Sequence, residues 1–208
     1  ESGGSVLVPA FAVARSQEIL CILEKHRVEC PIYLDGMARE AARIFLRHPT
    51  FFRDYPLLRD ALKKANWIRS KRQRESVMEE ACVMIAPAGM LRGGTAAMYL
   101  RQILDDAKNA VMLVGFQIPG TPGRILLEDH VFDDGLGLQK VKARVKLFDF
   151  SSHAGQDELL DLGKAFSNAQ NLFTVHGEAE ACEFLATTLK EQHGVNAYAA
   201  ETDQRIEL

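Results

Sequence analysis

Short apolar runs recur along this chain, and most lead into stretches whose apolar residues fall at helical spacing. The runs SVLVPA (5–10), PIYLD (31–35), CVMIA (82–86) and AVMLVG (110–115) are nearly continuous rather than alternating. That is the pattern of strands covered on both faces. Between them, residues 15–26 carry Ile19, Leu20, Ile22 and Leu23 as one helical stripe, and residues 37–48 carry Ala41, Ile44 and Phe45. Another helix follows the aromatic stretch at Phe51, Phe52 and Tyr55, then a possible strand at 67–70, and a helix lies near 95–106. Strand–helix alternation of this kind predicts the α/β class with a mainly parallel sheet.

The pattern changes after residue 130. Residues 130–133 and 140–150 flank a glycine-containing turn at 134–137, which predicts a hairpin. A helix (156–166), a strand (172–176), a helix (178–192, stopped by Gly194) and a final strand (195–200) follow. The best boundary is near residue 147. Composition excludes several classes. Apolar residues make up 47% and charged residues 25%, with a net charge of −3, so this is not a chain coated with basic residues for non-specific nucleic-acid binding. No apolar run approaches the ~18 residues of a membrane span. The opening Glu1-Ser2-Gly3-Gly4 lacks the basic and apolar regions of a leader and reads as a turn entered within a longer chain. Cys21, Cys30, Cys82 and Cys182 form no C-x-x-C pair, and three of them lie in or beside apolar segments, which fits buried thiols in a reducing cytoplasm.

Chemistry concentrates in few places. None of the six histidines stands two or four residues from another, so no local metal motif exists. His26, His48 and His193 fall at helix ends, where a cation suits the dipole, and His130 reads as a loop or strand-edge residue. His153 and His176 each follow an apolar strand and have small neighbours, the position at which sites form in open α/β sheets. They read equally as polar strand ends turning into helices. The turns at 86–94 and 115–124 hold glycines with Arg92 and Arg124, a combination that suits phosphate or simply makes tight connections. Neither fits a nucleotide-cofactor fingerprint. Lys63, Lys64, Arg69, Lys71, Arg72 and Arg74 surround Trp67, a nucleic-acid rim or a solvated helix end.

Six segments taken in order resemble the β-CASP branch of the metallo-β-lactamase superfamily. They are GGSVLVPAFAVARSQEIL (3–20), PIYLDGMA (31–38), VMIAPAGMLRGG (83–94), PGTPGRILLE (119–128), FDFSSHAGQDELL (148–160) and TVHGEAEA (174–181). The resemblance implies a Rossmann-like β-CASP cap at 1–146 and, at 147–208, the C-terminal return segment of a metallo-β-lactamase αββα domain. It implies a cytoplasmic ribonuclease that cuts RNA phosphodiester bonds with two zinc ions, endo- or exonucleolytically. His153 would stand near the scissile phosphate, and His176 would be one zinc ligand. Gly89, Arg92, Gly93, Gly94, Gly120, Thr121, Arg124, Ser151 and Ser152 would hold single-stranded RNA. The family's H-x-H-x-D-H motif and other ligands would precede Gly3, so these 208 residues are expected to bind no zinc and cut nothing alone. Ala14 stands where glycine is common, and Pro119 where an acidic residue often precedes Gly-Thr. A catalytically inactive RNA-binding scaffold and a DNA-directed nuclease remain as alternatives.

Three structural expectations follow. The strands ending at His153 and His176 should form a separate small layer as parallel neighbours. Their imidazoles should then lie within roughly 10 Å of each other and open toward the glycine-rich turns. The segment from 147 should expose an apolar face and strand edge, which favours self-association, such as a homodimer, or local disorder.

Overall fold

The computed structural model describes residues 3–133, 135, 137–150 and 153–205. The chain divides into two compact units, residues 1–151 and 152–208. In the first, β1 (Val6–Pro9), β2 (Ile32–Leu34), β3 (Asn66–Trp67), β4 (Val83–Ala86), β5 (Ala110–Leu113) and β8 (Arg144–Leu147) make one parallel sheet in the order β3-β2-β4-β1-β5-β8. The helices are α1 (Arg15–Lys25), α2 (Ala38–Leu46), α3 (Tyr55–Lys64), α4 (Lys71–Ser76), α5 (Gly94–Ile103) and α6 (Pro122–Asp129). The α/β class with a mainly parallel sheet is as expected.

Period-two alternation sorts the strand residues between two cores. Leu7, Met84, Ala86, Val111 and Leu113 pack with Tyr99, Leu100, Ile103 and Leu126 of α5 and α6. Val8, Ala10, Val83, Ile85 and Val114 pack on the other side with Ile19, Leu20, Ala38, Leu58 and Leu62 of α1, α2 and α3. The unbroken apolar runs are thus strands buried from both sides. Local signals set the helix starts: the Asp54 carboxylate accepts from the Leu57 N–H at 3.1 Å, and the Ser70 hydroxyl from the Gln73 N–H at 3.2 Å. Ala14, before α1, has φ 67° and ψ −65° and no side-chain cap; the Arg15 N–H reaches the Val13 carbonyl at 2.9 Å, closing a γ-turn. This is a conformation that glycine adopts freely, which accounts for the expectation of glycine there.

Two expectations need correction. The hairpin is shorter than expected: β6 (Val131–Phe132) pairs antiparallel with β7 (Gln139–Lys140) alone. The Lys142 and Ala143 N–H groups then bond to the Leu104 carbonyl, and the chain turns into β8, beside β5. So the strand before His153 belongs to the large sheet and is not a neighbour of the strand before His176. The second unit has α7 (Gln156–Ala165), β9 (Leu172–Thr174), α8 (Ala179–His193) and β10 (Ala197–Ala199), with β9 and β10 parallel. Gly194 ends α8 at φ 67°. A small core of Ala186, Leu189, Val195 and Ala197 joins them. Leu159, Leu162, Phe166, Val175, Phe184 and Tyr198 are exposed, the apolar face expected of this segment. No helix among the described residues is long and apolar enough to cross a membrane.

Candidate functional site

A parallel sheet sends all its strands out at one edge, so the loops after β1, β2, β4 and β5 gather there. The two glycine-rich turns are tied together at this edge. The Gly123 N–H donates to the Met90 carbonyl at 3.0 Å, and buried Gln117 donates from Nε2 to the carbonyls of Gly89 (3.2 Å) and Gly115 (2.9 Å). The Gln117 Oε1 accepts no hydrogen bond among the described residues and lies where a Cβ on Gly123 would stand, so a side chain at 123 would displace the Gln117 amide from this tie. Around this tie the expected RNA-contacting residues fall into two groups. Gly89 and Thr121 are buried, and the Thr121 hydroxyl caps α6, accepting from the Arg124 N–H at 3.3 Å and donating to the Ile118 carbonyl at 2.7 Å. These two residues shape the turns rather than present groups to a ligand. Arg92, Gly94 and Gly120 are exposed and Gly93 is half-buried, with Gly93 at φ 111° and Gly94 at φ 72°. Arg124 is partly exposed and paired with Glu128 at 2.6 Å, so its charge is already partly balanced.

This edge also holds a buried carboxylate. Asp35, 1% exposed, sits at the end of β2 and accepts from Arg74 Nε (2.6 Å), a second Arg74 nitrogen (3.0 Å), the Tyr99 hydroxyl (2.9 Å) and the Gly36 N–H (2.6 Å). Burial alone would raise its pKa, but these hydrogen bonds and the guanidinium charge hold it below the ordinary carboxylate value. Burial and the adjacent carboxylate push the Tyr99 hydroxyl up. An aspartate closing the apolar run PIYLD was the available signal, since a buried carboxylate must find partners.

In the second unit His176 follows β9 and is exposed, at φ 65°, an uncommon conformation for a residue with a side chain. It borders two hollows. One, about 430 Å³, is apolar, with Leu162, Phe166, Val175 and Leu185 in its wall; the other, about 540 Å³, adds Glu183 and Glu201. His153 is exposed ahead of α7, whose first turn is fixed by the Gly155 N–H donating to Glu158 at 2.8 Å. Both histidines fall in the second unit. Ser151 and Ser152 lie outside the described residues. No three His, Cys, Asp or Glu side chains among the described residues converge as metal ligands. His176 can supply one ligand, but a zinc ion needs at least three from the protein, so these residues do not by themselves build its site.

The family comparisons cover both units. Residues 16–126, more than half of the chain, match the Beta-Casp domain. Residues 139–200 match a domain described as the Zn-dependent metallo-hydrolase RNA specificity domain. Among curated proteins, the chain is 42% identical to RNase aCSPSF2 of Saccharolobus solfataricus over all its residues, covering 42% of that protein. It is 35% identical to the Probable RNase MJ4 of Methanocaldococcus jannaschii, with 99% of this chain and 49% of that protein aligned. It is 33% identical to the Transcription termination factor FttA of Pyrococcus horikoshii, with 99% and 35% aligned. The chain thus spans less than half the length of these relatives. With four of the six strands of its parallel sheet inside the first match and His176 inside the second, this chain belongs to the β-CASP family.

Proposed function

We propose that this chain is part of a zinc-dependent ribonuclease that hydrolyses phosphodiester bonds in single-stranded RNA. In this reading residues 1–146 are the β-CASP cap and residues 147–208 the return segment of the metallo-β-lactamase domain. The observation that carries it is the succession of the two family matches, the second of them to a metallo-hydrolase RNA specificity domain and containing His176 at a strand end.

The division of labour follows from the residues. Exposed Arg92 and the open backbone at Gly93, Gly94 and Gly120 bind phosphate oxygens, and Arg124 joins by exchanging Glu128 for a phosphate. Gly89, Thr121 and Gln117 hold the two turns in register. Such contacts suit single strands, whose backbone is accessible. His153 donates a hydrogen bond to a phosphate oxygen or passes a proton to the leaving group. His176 would contribute one zinc ligand, and a complete site would need further ligands that the described residues do not bring together. Zinc, when bound, supplies a water of lowered pKa.

The test uses the full-length protein and labelled single-stranded RNA. Cleavage should require metal, stop on chelation and stop in His176→Ala, while elemental analysis shows zinc in the unsubstituted protein and less in the variant. Cleavage unaffected by chelator and by His176→Ala would overturn the proposal.

A further inference from the structure

The basic cluster around Trp67 is not part of the strand-end site, and the structure separates its members. Arg74 is bound to Asp35, Lys64 pairs with Glu24, and Lys71 lies 3.9 Å from Glu75. Lys63, Arg69 and Arg72 are exposed, and no ion pair engages them among the described residues. Lys63 and Arg69 line a hollow of about 510 Å³ together with Asn66, Trp67 and Gln73. No carboxylate lines it, so it suits an anion and repels none. Its floor is β3, the edge strand of the sheet, which has a partner only on the β2 side and leaves its other edge open. Trp67 is held in place by its indole N–H, which donates to the Leu62 carbonyl at 2.9 Å, and by Arg43 at 5.8 Å from the ring. The wall therefore offers two cations without ion-pair partners among the described residues, two side-chain amides and part of the half-buried Trp67 side chain.

We infer that this hollow along β3 is a second binding site for the sugar–phosphate backbone of single-stranded RNA, formed by Lys63, Arg69, Asn66, Gln73 and the Trp67 ring, with Arg72 beside it. The inference rests on the ribonuclease reading for the kind of polyanion. Its position fits one continuous strand. In the sheet order β3-β2-β4, β3 lies two strand spacings from β4, or ~10 Å, so an RNA strand leaving the 89–94 turn reaches Arg69 within a few nucleotides. Asp35, directly after β2, is buried and paired with Arg74, so its charge does not repel the strand. The amides and the part of Trp67 that lines the hollow suit a flexible strand whose bases can turn outward.

The test measures affinity in the full-length protein at several salt concentrations for two oligo-uridines, one long enough only for the strand-end turns and one several times longer. Replacing Lys63, Arg69 and Arg72 together with Ala should weaken binding of the long RNA at least tenfold. The slope of log K against log salt should become shallower by about 2, at ~0.7 per phosphate contact on a single strand. Binding of the short RNA should change little, and Lys63→Arg with Arg69→Lys and Arg72→Lys should restore the long-RNA slope. An unchanged slope for the long RNA, or equal weakening for both lengths, overturns the site while leaving the ribonuclease reading intact. A protein that cleaves no RNA yet loses long-RNA binding in the triple variant overturns that reading and keeps the site. Absence of any RNA binding by the unsubstituted protein overturns both.

Discussion

The two units are built from the same strand–helix steps and reach opposite outcomes. In the first, a six-stranded sheet is covered by α1, α2 and α3 over most of one face, leaving an apolar hollow of about 570 Å³ beside Met112 and Phe148, and by α5 and α6 on the other. In the second, two parallel strands and two helices share a core of four buried residues, and Leu162, Phe166 and Val175 face outward. The difference is one of layers. A sheet needs cover on both faces, and a parallel pair gains little until more strands or a second layer bury it. In the proposed reading the first unit is a finished scaffold whose turns grip, and the second brings histidines on a surface that calls for further protein.

The comparison can be broken most directly through function. His176→Ala in the full-length protein should reduce RNA cleavage by more than about a thousandfold, or ~4 kcal/mol in barrier, with affinity for uncut RNA nearly unchanged. Arg92→Ala with Arg124→Ala should do the reverse, lowering affinity and sparing the turnover of bound RNA. Single-turnover rates and equilibrium binding separate the two, and a mixed result would show that the units do not divide the work.

Stability should respond most sharply in the first unit. Asp35→Asn leaves Arg74 without its buried partner and should cost about 3 kcal/mol. The native fold depresses the Asp35 pKa, so the carboxylate's stabilisation is complete above its unfolded value of ~3.9 and is lost as pH falls through the lower native one. Denaturant midpoints from neutral to acid pH should therefore decline less steeply in the variant than in the unsubstituted chain. Gly4 is nearly as constrained: a Cβ there would stand 2.1 Å from the Lys108 carbonyl oxygen, a backbone atom. Gly4→Ala should cost roughly 2–3 kcal/mol in the same measurement. Ala14→Gly should instead stabilise by about 1 kcal/mol, by relieving the γ-turn before α1.

The smallest effects should come from the second unit. Leu162→Ser with Phe166→Ser should change stability by no more than about 0.5 kcal/mol, because both side chains already face solvent. Sedimentation velocity on the 208-residue chain should show self-association that this double variant weakens. A large loss of stability would mean that these residues are packed, and the contrast between the units would fail.

What could be read from the residues was local. Unbroken apolar runs located β1, β2, β4 and β5, and helical stripes located α1 and α2, because burial on one or two faces leaves a period in the chain. Strand pairing is a matter of distant partners. Nothing in residues 144–150 distinguishes a place beside β5 from one beside β9, and the expected neighbour was the wrong one. The site shows the same limit. Glycine-rich turns were visible as turns, whereas the ties at Gln117 and Met90, the Thr121 cap and the Arg124–Glu128 pair depend on side-chain reach. Arg74 counted as one cation in a cluster until Asp35, thirty-nine positions earlier, proved to be its partner.

The register of the central strands bears on how the molecule is made. Val6 lies opposite Val83 on one side and Ala110 on the other, so the middle of the sheet joins segments far apart in the chain. During synthesis, β1 leaves the ribosome before both of its sheet neighbours, with none until β4 emerges and none on its second side until β5 does. Closing such long loops is slow, and folding rates fall as contacts become less local. An apolar run of SVLVPA waiting for its partners is the kind of strand that chaperones bind, and a nascent chain truncated before residue 83 would hold it without either strand neighbour.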